Sequence, residues 1–159
     1  MTVNRNQSGA ASSAVERPWS SVVTAPRDAT LGDVATLMRD RNVGSVVICE
    51  RDRPVGVITD RDLALAVVAD RVAADDSAGA HASRPLVTGE VEMDIEEAAA
   101  LMVQHRIRRL PVMRGGELSG IVTLDDLAVR VGDVKLASQM TADVARAALP
   151  EFYFHQRGG

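Results

Sequence analysis

The stretch Gly56-Val57-Ile58-Thr59-Asp60-Arg61-Asp62 decides the fold, because it returns as Gly120-Ile121-Val122-Thr123-Leu124-Asp125-Asp126. The copies lie 64 residues apart (120 − 56 = 64). Outward from this stretch, the same shift pairs Asp62-Leu63-Ala64 with Asp126-Leu127-Ala128, Leu37-Met38 with Leu101-Met102, and Val23-Thr24 with Val87-Thr88, without a gap. A gapless repeat that preserves secondary-structure phase marks a duplicated unit.

Each copy reads as β-α-β-β-α. In the first, Val22-Val23-Thr24 is a short strand, and Thr30 with Asp33 opens a helix. Leu31, Val34, Leu37 and Met38 form the apolar stripe of that helix. Residues 45–49 suit a strand buried on both faces. The single cysteine, Cys49, falls in this run and reads as a buried strand residue, with a reactive thiol as the alternative. Arg51-Asp52-Arg53-Pro54 is a turn, 55–58 the next strand and 60–72 a second helix. In the second copy, Asp94 and Glu97 cap a helix bearing Ile95, Ala98, Leu101 and Met102. A strand over 110–113, a turn at Arg114-Gly115-Gly116-Glu117, a strand over 118–122 and a helix over 124–131 follow.

One copy of about 50 residues buries too little surface to be securely stable alone. The expected class is therefore α+β, with two tandem β-α-β-β-α repeats packed by pseudo-twofold symmetry into one module. The expected boundaries are a disordered lead-in over 1–19, a first repeat over 20–74, a linker over 75–84 and a second repeat over 85–132, followed by an amphipathic helix and aromatic tail over 133–159.

Hydrophobic residues make up 46% of the 159, enough for a sizeable core. A net charge of −4 argues against a general nucleic-acid or anionic-membrane binder, which carries a basic excess. One cysteine permits no disulfide within the chain and fits a reducing compartment. Residues 1–17 lack the apolar stretch of a secretory signal, and no apolar run approaches the ~20 residues of a membrane span. The reading is a cytoplasmic protein without nucleic-acid or membrane partners.

The two signature stretches resemble the G-h-x-T-x-x-D motif (h apolar) of the CBS domain, which occurs in pairs also called Bateman modules. Thr30-Leu31, Leu37-Met38 and Arg106-Ile107-Arg108-Arg109-Leu110-Pro111-Val112 extend the resemblance, which covers about 22–131. The resemblance implies that adenosine-containing ligands bind in clefts between the repeats, and that the module forms a homodimer through its helices. Family members often carry a Met-Thr pair before the first strand. Arg17-Pro18-Trp19-Ser20 and His81-Ala82-Ser83-Arg84 stand there instead.

Thr59 with Asp62, and Thr123 with Asp126, have two readings. Each pair has the spacing of a capping box, Thr at the N-cap and a carboxylate three residues on. The same geometry serves a ligand, since a helix N-terminus favours phosphate, Asp can accept from two ribose hydroxyls and Thr can donate. The resemblance implies the ligand role for these four residues, and adds Thr24 and Thr88 to the candidate site.

Arg108 and Arg109 are either a solvated pair or, as the resemblance implies, phosphate ligands, for which a planar guanidinium fork is suited. Their counterparts Gly44 and Ser45 are small and uncharged, which would let a ligand approach the backbone. Arg61 is matched by Asp125, so the two clefts should be unequal. Val23, Val43, Val87 and Ile107 are candidate walls for an adenine, or core residues. Pro111 is matched by Val47, so the second strand should begin differently in the two repeats.

No catalytic residue and no metal ligand is assigned: His81, His105 and His155 show no ligand spacing, and no nucleophile-base grouping appears. An enzyme is not expected, nor a required cofactor. Leu136, Met140, Val144 and Ala148 recur every fourth residue, so 133–149 reads as an amphipathic helix ended by Pro150. Phe152-Tyr153-Phe154 then supply three of the four aromatics, either folded back on the core or docking a protein partner. The functional reading is a sensor of AMP, ADP, ATP or a related adenosyl compound, signalling in trans. The arginine pair favours phosphate over cationic S-adenosylmethionine. The alternative is a ligandless dimerisation or adaptor module in which Thr and Asp are only caps.

Overall fold

A computed structural model describes residues 22–51, 53–130 and 134–148. The lead-in with Trp19, Pro150, the three tail aromatics and His155 lie outside them. In the first repeat Thr24–Pro26 forms β1, Leu31–Arg41 α1, Ser45–Glu50 β2 and Arg53–Thr59 β3. Asp60–Leu63 forms α2, which runs on as a π-helix over Ala64–Ala69, and Ala78–His81 is a short helix α3. The second repeat has β4 (Gly89–Glu90), α4 (Ile95–His105), β5 (Arg109–Arg114), β6 (Glu117–Thr123) and α5 (Leu124–Arg130), and α6 (Val134–Ala147) follows. The architecture is α+β, the β-α-β-β-α order twice, in two three-stranded sheets.

The sheets have the orders β1-β2-β3 and β4-β5-β6. The first pair in each is parallel and the second antiparallel. A parallel pair needs a crossover connection, which α1 and α4 provide. Both crossover helices open on a capping box, Thr30 with Asp33 and Asp94 with Glu97. Both end on a left-handed residue at the same repeat position, Asn42 (φ 52°) and Arg106 (φ 55°).

Side chains along a strand alternate between faces, and this builds three cores. Val46, Ile48 and Ile58 join Leu31, Val34 and Met38 beneath the first repeat's helices. Leu110, Val112 and Val122 join Ala98, Met102 and Leu127 in the second. The opposite faces meet between the sheets, where Val47 and Val57 pack with Ile121, flanked by Cys49 and Leu118. Val57 and Ile121 are 64 apart (121 − 57 = 64), so one repeat position contributes to this shared core from both sides. That explains the apolar run at 45–49: both faces of β2 are covered.

Three expectations are corrected. The first strand begins at Thr24 rather than Val22. The second helix of the first repeat ends at Ala69 rather than 72, and only its first turn is α-helical. Beyond that turn the backbone shifts to i→i−5 bonding, with Asp70 N donating to Leu65 O at 2.9 Å. The second strands begin at equivalent residues, Ser45 and Arg109, and hold the same register against their hairpin partners. The Val47/Pro111 difference acts one strand away: Val47 N donates to Val23 O at 2.9 Å, whereas Pro111 has no N–H to donate. β4 is accordingly one residue shorter than β1 (2 against 3).

The segment linking the copies is structured. Ala78 is fully buried in the first core, beside Ala82. Ser83 donates to Val57 O from both its N–H (2.8 Å) and its hydroxyl (2.9 Å). Leu31 N and Gly32 N donate to Asp76 O and Ala74 O at 2.9 and 2.8 Å. Small residues allow this approach: a Cβ on Gly56 would lie 2.8 Å from Ala82 Cβ and 3.0 Å from Ser83 O. His81 pairs with Asp76 at 3.0 Å. That bond, helped by the Ser77 N–H, holds the Asp76 carboxyl below the usual carboxylate range.

The apolar stripe of α6 faces inward. Met140 and Val144 complete the second core and Leu136 packs against it. Among the described residues no helix is long and apolar enough to cross a membrane.

Candidate functional site

Two clefts open between the repeats, one on each side of the shared core. The first, about 310 Å³, is lined by Val23, Val43, Gly44 and Ser45 from the first repeat and Thr123, Leu124 and Asp125 from the second. The opposite cleft, about 470 Å³, is lined by Val87, Ile107, Arg108 and Arg109 from the second repeat and Thr59, Asp60, Arg61 and Asp62 from the first. A shift of 64 carries the first set onto the second: Val23 to Val87, Val43 to Ile107, Gly44 to Arg108, Ser45 to Arg109. The clefts are thus related by the internal symmetry of the chain.

The backbone that frames them obeys the same relation. Asp60 N donates to Gly44 O at 3.2 Å, and Leu124 N donates to Arg108 O at 3.0 Å. These bonds tie the start of each second helix to the residue preceding the central strand.

Both signature pairs form complete capping boxes. Asp62 Oδ2 accepts from the Thr59 N–H (2.8 Å) and hydroxyl (2.7 Å), while Asp62 N donates to Thr59 Oγ1 at 3.2 Å. Thr123 and Asp126 repeat this at 2.8, 2.8 and 3.3 Å. Both hydroxyl protons are therefore already used within the caps. The caps differ in setting. Asp62 is half-buried and lines the larger cleft, whereas Asp126 is only 5% exposed and is not among the lining residues of either cleft. Thr24 sits exposed in β1 and Thr88 half-buried ahead of β4; neither lines a cleft.

The clefts are unequal in charge. In the smaller, the lining cations are Arg108 and Arg109, facing Asp125. In the larger, Arg61, Arg84 and Arg106 accompany the same pair, with Asp60 and Asp62 among them. Arg108 and Arg109 line both. Sequence reasoning did not single out Arg84, which sits in the linking segment, or Asn42, whose left-handed helix end brings it to the smaller cleft. Among the described residues no group of three or more His, Cys, Asp or Glu is arranged to hold a metal.

A model of the CBS domain matches residues 13–69 and again 78–133. The chain belongs to the CBS domain family. This CBS pair is 40% identical over 94 residues to the CBS domain-containing protein YhcV of Bacillus subtilis, a match covering 59% of this chain and 61% of that one. The chain thus spans about three fifths of that relative's length, 61%. A CBS domain protein of Pyrobaculum aerophilum complexed with AMP superposes with a TM-score of 0.67 at 30% identity, over 77% of this chain and 93% of its own. A hexameric CBS-CP12 protein from bloom-forming cyanobacteria matches with a TM-score of 0.66 at 27% identity, over 76% and 72%.

Proposed function

We propose that this CBS pair is a regulatory module that binds an adenine nucleotide in the clefts between its repeats and signals in trans to a protein partner. The observation that carries the proposal is the larger cleft, where an apolar wall (Val87, Ile107), a carboxylate (Asp62) and several arginines converge. A site with this lining suits a flat apolar base, a ribose and a phosphate respectively. The similarity to a CBS protein complexed with AMP supports the same ligand class. Asp62 spends Oδ2 on its cap, so Oδ1 is the acceptor offered to ribose hydroxyls, and the arginine forks take phosphate. Gly44 and Ser45 give the smaller cleft a low wall where the ligand meets backbone. Thr24 and Asp126 act indirectly, through strand pairing and helix capping. The module carries regulation rather than catalysis, and works in the cytosol.

Self-association is part of this reading. Leu65 and Val129 occupy equivalent repeat positions (129 − 65 = 64) on the two second helices and are 47% and 82% exposed. Paired apolar side chains on equivalent helices suit an isologous homodimer interface. The second reading, a ligandless dimerisation module, is favoured by the capping boxes, which account for Thr59, Asp62, Thr123 and Asp126 without a ligand.

A thermal-shift panel of AMP, ADP, ATP and adenosine separates the two. A ligand that binds the folded state raises the melting temperature by mass action. The sensor reading expects a shift with at least one nucleotide, reduced in Asp62→Ala to what the smaller cleft alone supports. No shift at millimolar concentration of any of them selects the ligandless module.

A further inference from the structure

The arginine pair sits on the partition between the clefts. By repeat symmetry Arg108 and Arg109 belong to the larger cleft, since their counterparts Gly44 and Ser45 line the smaller one. Yet β5 pairs with β6 so that Arg109 lies opposite Thr123, which lines the smaller cleft. The tip of Arg109 reaches across to the first repeat: a Cβ added to Gly44 would lie 3.2 Å from Arg109 Nη2 and 3.3 Å from Asp60 Oδ2. Gly44 lines the smaller cleft and Asp60 the larger. The guanidinium therefore stands between the two, and the absence of a side chain at Gly44 makes room for it.

We infer that Arg108 and Arg109 are one phosphate-binding pair shared by both clefts, so that a phosphorylated ligand in one weakens phosphate binding in the other. The inference rests on the nucleotide reading above and specifies how its two sites communicate. The smaller cleft is lined by no other cation among the described residues and keeps Asp125, whereas the larger has Arg61, Arg84 and Arg106 besides. A phosphate in the larger cleft that draws the pair toward itself leaves the smaller with a carboxylate alone. Two phosphates held by one pair also sit within a Debye length, about 8 Å at physiological salt, and repel with little screening. The larger cleft fills first, and the penalty appears at the smaller. The coupling needs no movement of the fold. It follows from ownership of two side chains, and it is reciprocal as any binding coupling must be.

Calorimetric titration of the full chain with AMP, and with adenosine as the ligand lacking phosphate, tests this. Val87→Trp closes the larger cleft from its apolar wall, and Val43→Trp closes the smaller. Closing the larger should tighten AMP binding at the smaller by about tenfold over the second step of the wild type, while adenosine binding there stays unchanged. Closing the smaller leaves the first AMP step intact. In Arg108→Ala/Arg109→Ala, AMP should bind the smaller cleft no tighter than adenosine. If the AMP constant at the smaller cleft is the same whether the larger is open or closed, the sites are independent and the shared pair is refuted, with the nucleotide reading intact. Loss of all AMP binding on closing the larger cleft also refutes it, since the smaller would then be no site. Should either tryptophan variant fail to fold, the wild type decides: AMP must show a wider gap between its two steps than adenosine does, and equal gaps overturn the inference. If neither AMP nor adenosine binds the wild type at all, the nucleotide reading itself fails.

Discussion

Asp126 is held by Thr123 through three hydrogen bonds, two into Oδ2 at 2.8 Å and one returned from its own N–H at 3.3 Å, in a setting that leaves Asp126 5% exposed. Its repeat counterpart Asp62 makes the same bonds with Thr59 but lines the larger cleft. One motif thus serves a buried position in one repeat and a position lining a cleft in the other.

The two carboxylates should separate by substitution. Asp126→Ala is expected to cost about 1–2 kcal/mol in urea unfolding, from the lost cap and the buried hydrogen bonds, while the nucleotide-induced melting shift persists. Asp62→Ala should cost about 1 kcal/mol and cut that shift back to the contribution of the smaller cleft. Equal effects of both on ligand binding would overturn the assignment.

Gly56→Ala should destabilise the first repeat by about 1–3 kcal/mol, because the new methyl meets the Ala82 methyl and the Ser83 carbonyl. Unfolding midpoints in urea measure this. An unchanged midpoint would mean that the linking segment gives way freely, contrary to its hydrogen bonds to Val57, Leu31 and Gly32.

Arg51 occupies the hairpin position that Gly115 fills in the second repeat (115 − 51 = 64) and has φ 49° against 57°. A side chain in the left-handed region is strained. Arg51→Gly should therefore stabilise by about 0.5–1 kcal/mol, net of the added freedom of the unfolded chain. Gly115→Ala should destabilise by about 1–2 kcal/mol. Opposite signs in thermal unfolding are the expected outcome.

The repeat made much of this architecture legible. Alternating and continuous apolar runs reported which strand faces are buried, and Thr30, Asp94, Thr59 and Thr123 reported where helices begin, because capping is local chemistry. Three features were not legible for the opposite reason. The linking segment is rich in Ala, Asp and Ser, the composition of a solvated connector, yet Ala78 and Ala82 are small because they are packed. The π-helical turn over Ala64–Ala69 contains ordinary helix formers, and nothing local distinguishes i→i−5 from i→i−4 bonding there. The reach of Arg108 and Arg109 into both clefts depends on how two repeats pack across their symmetry axis, which no spacing within one repeat encodes.

The central claim is that an adenine nucleotide occupies the clefts between the repeats. A crystal structure of the protein grown with saturating AMP tests it most directly. The account predicts the nucleotide in the larger cleft, its base between Val87 and Ile107, its ribose on Asp62, and its phosphate at about 2.7–2.9 Å from a guanidinium of Arg108 or Arg109. Empty clefts at saturating AMP, or AMP bound elsewhere on the surface, would contradict it.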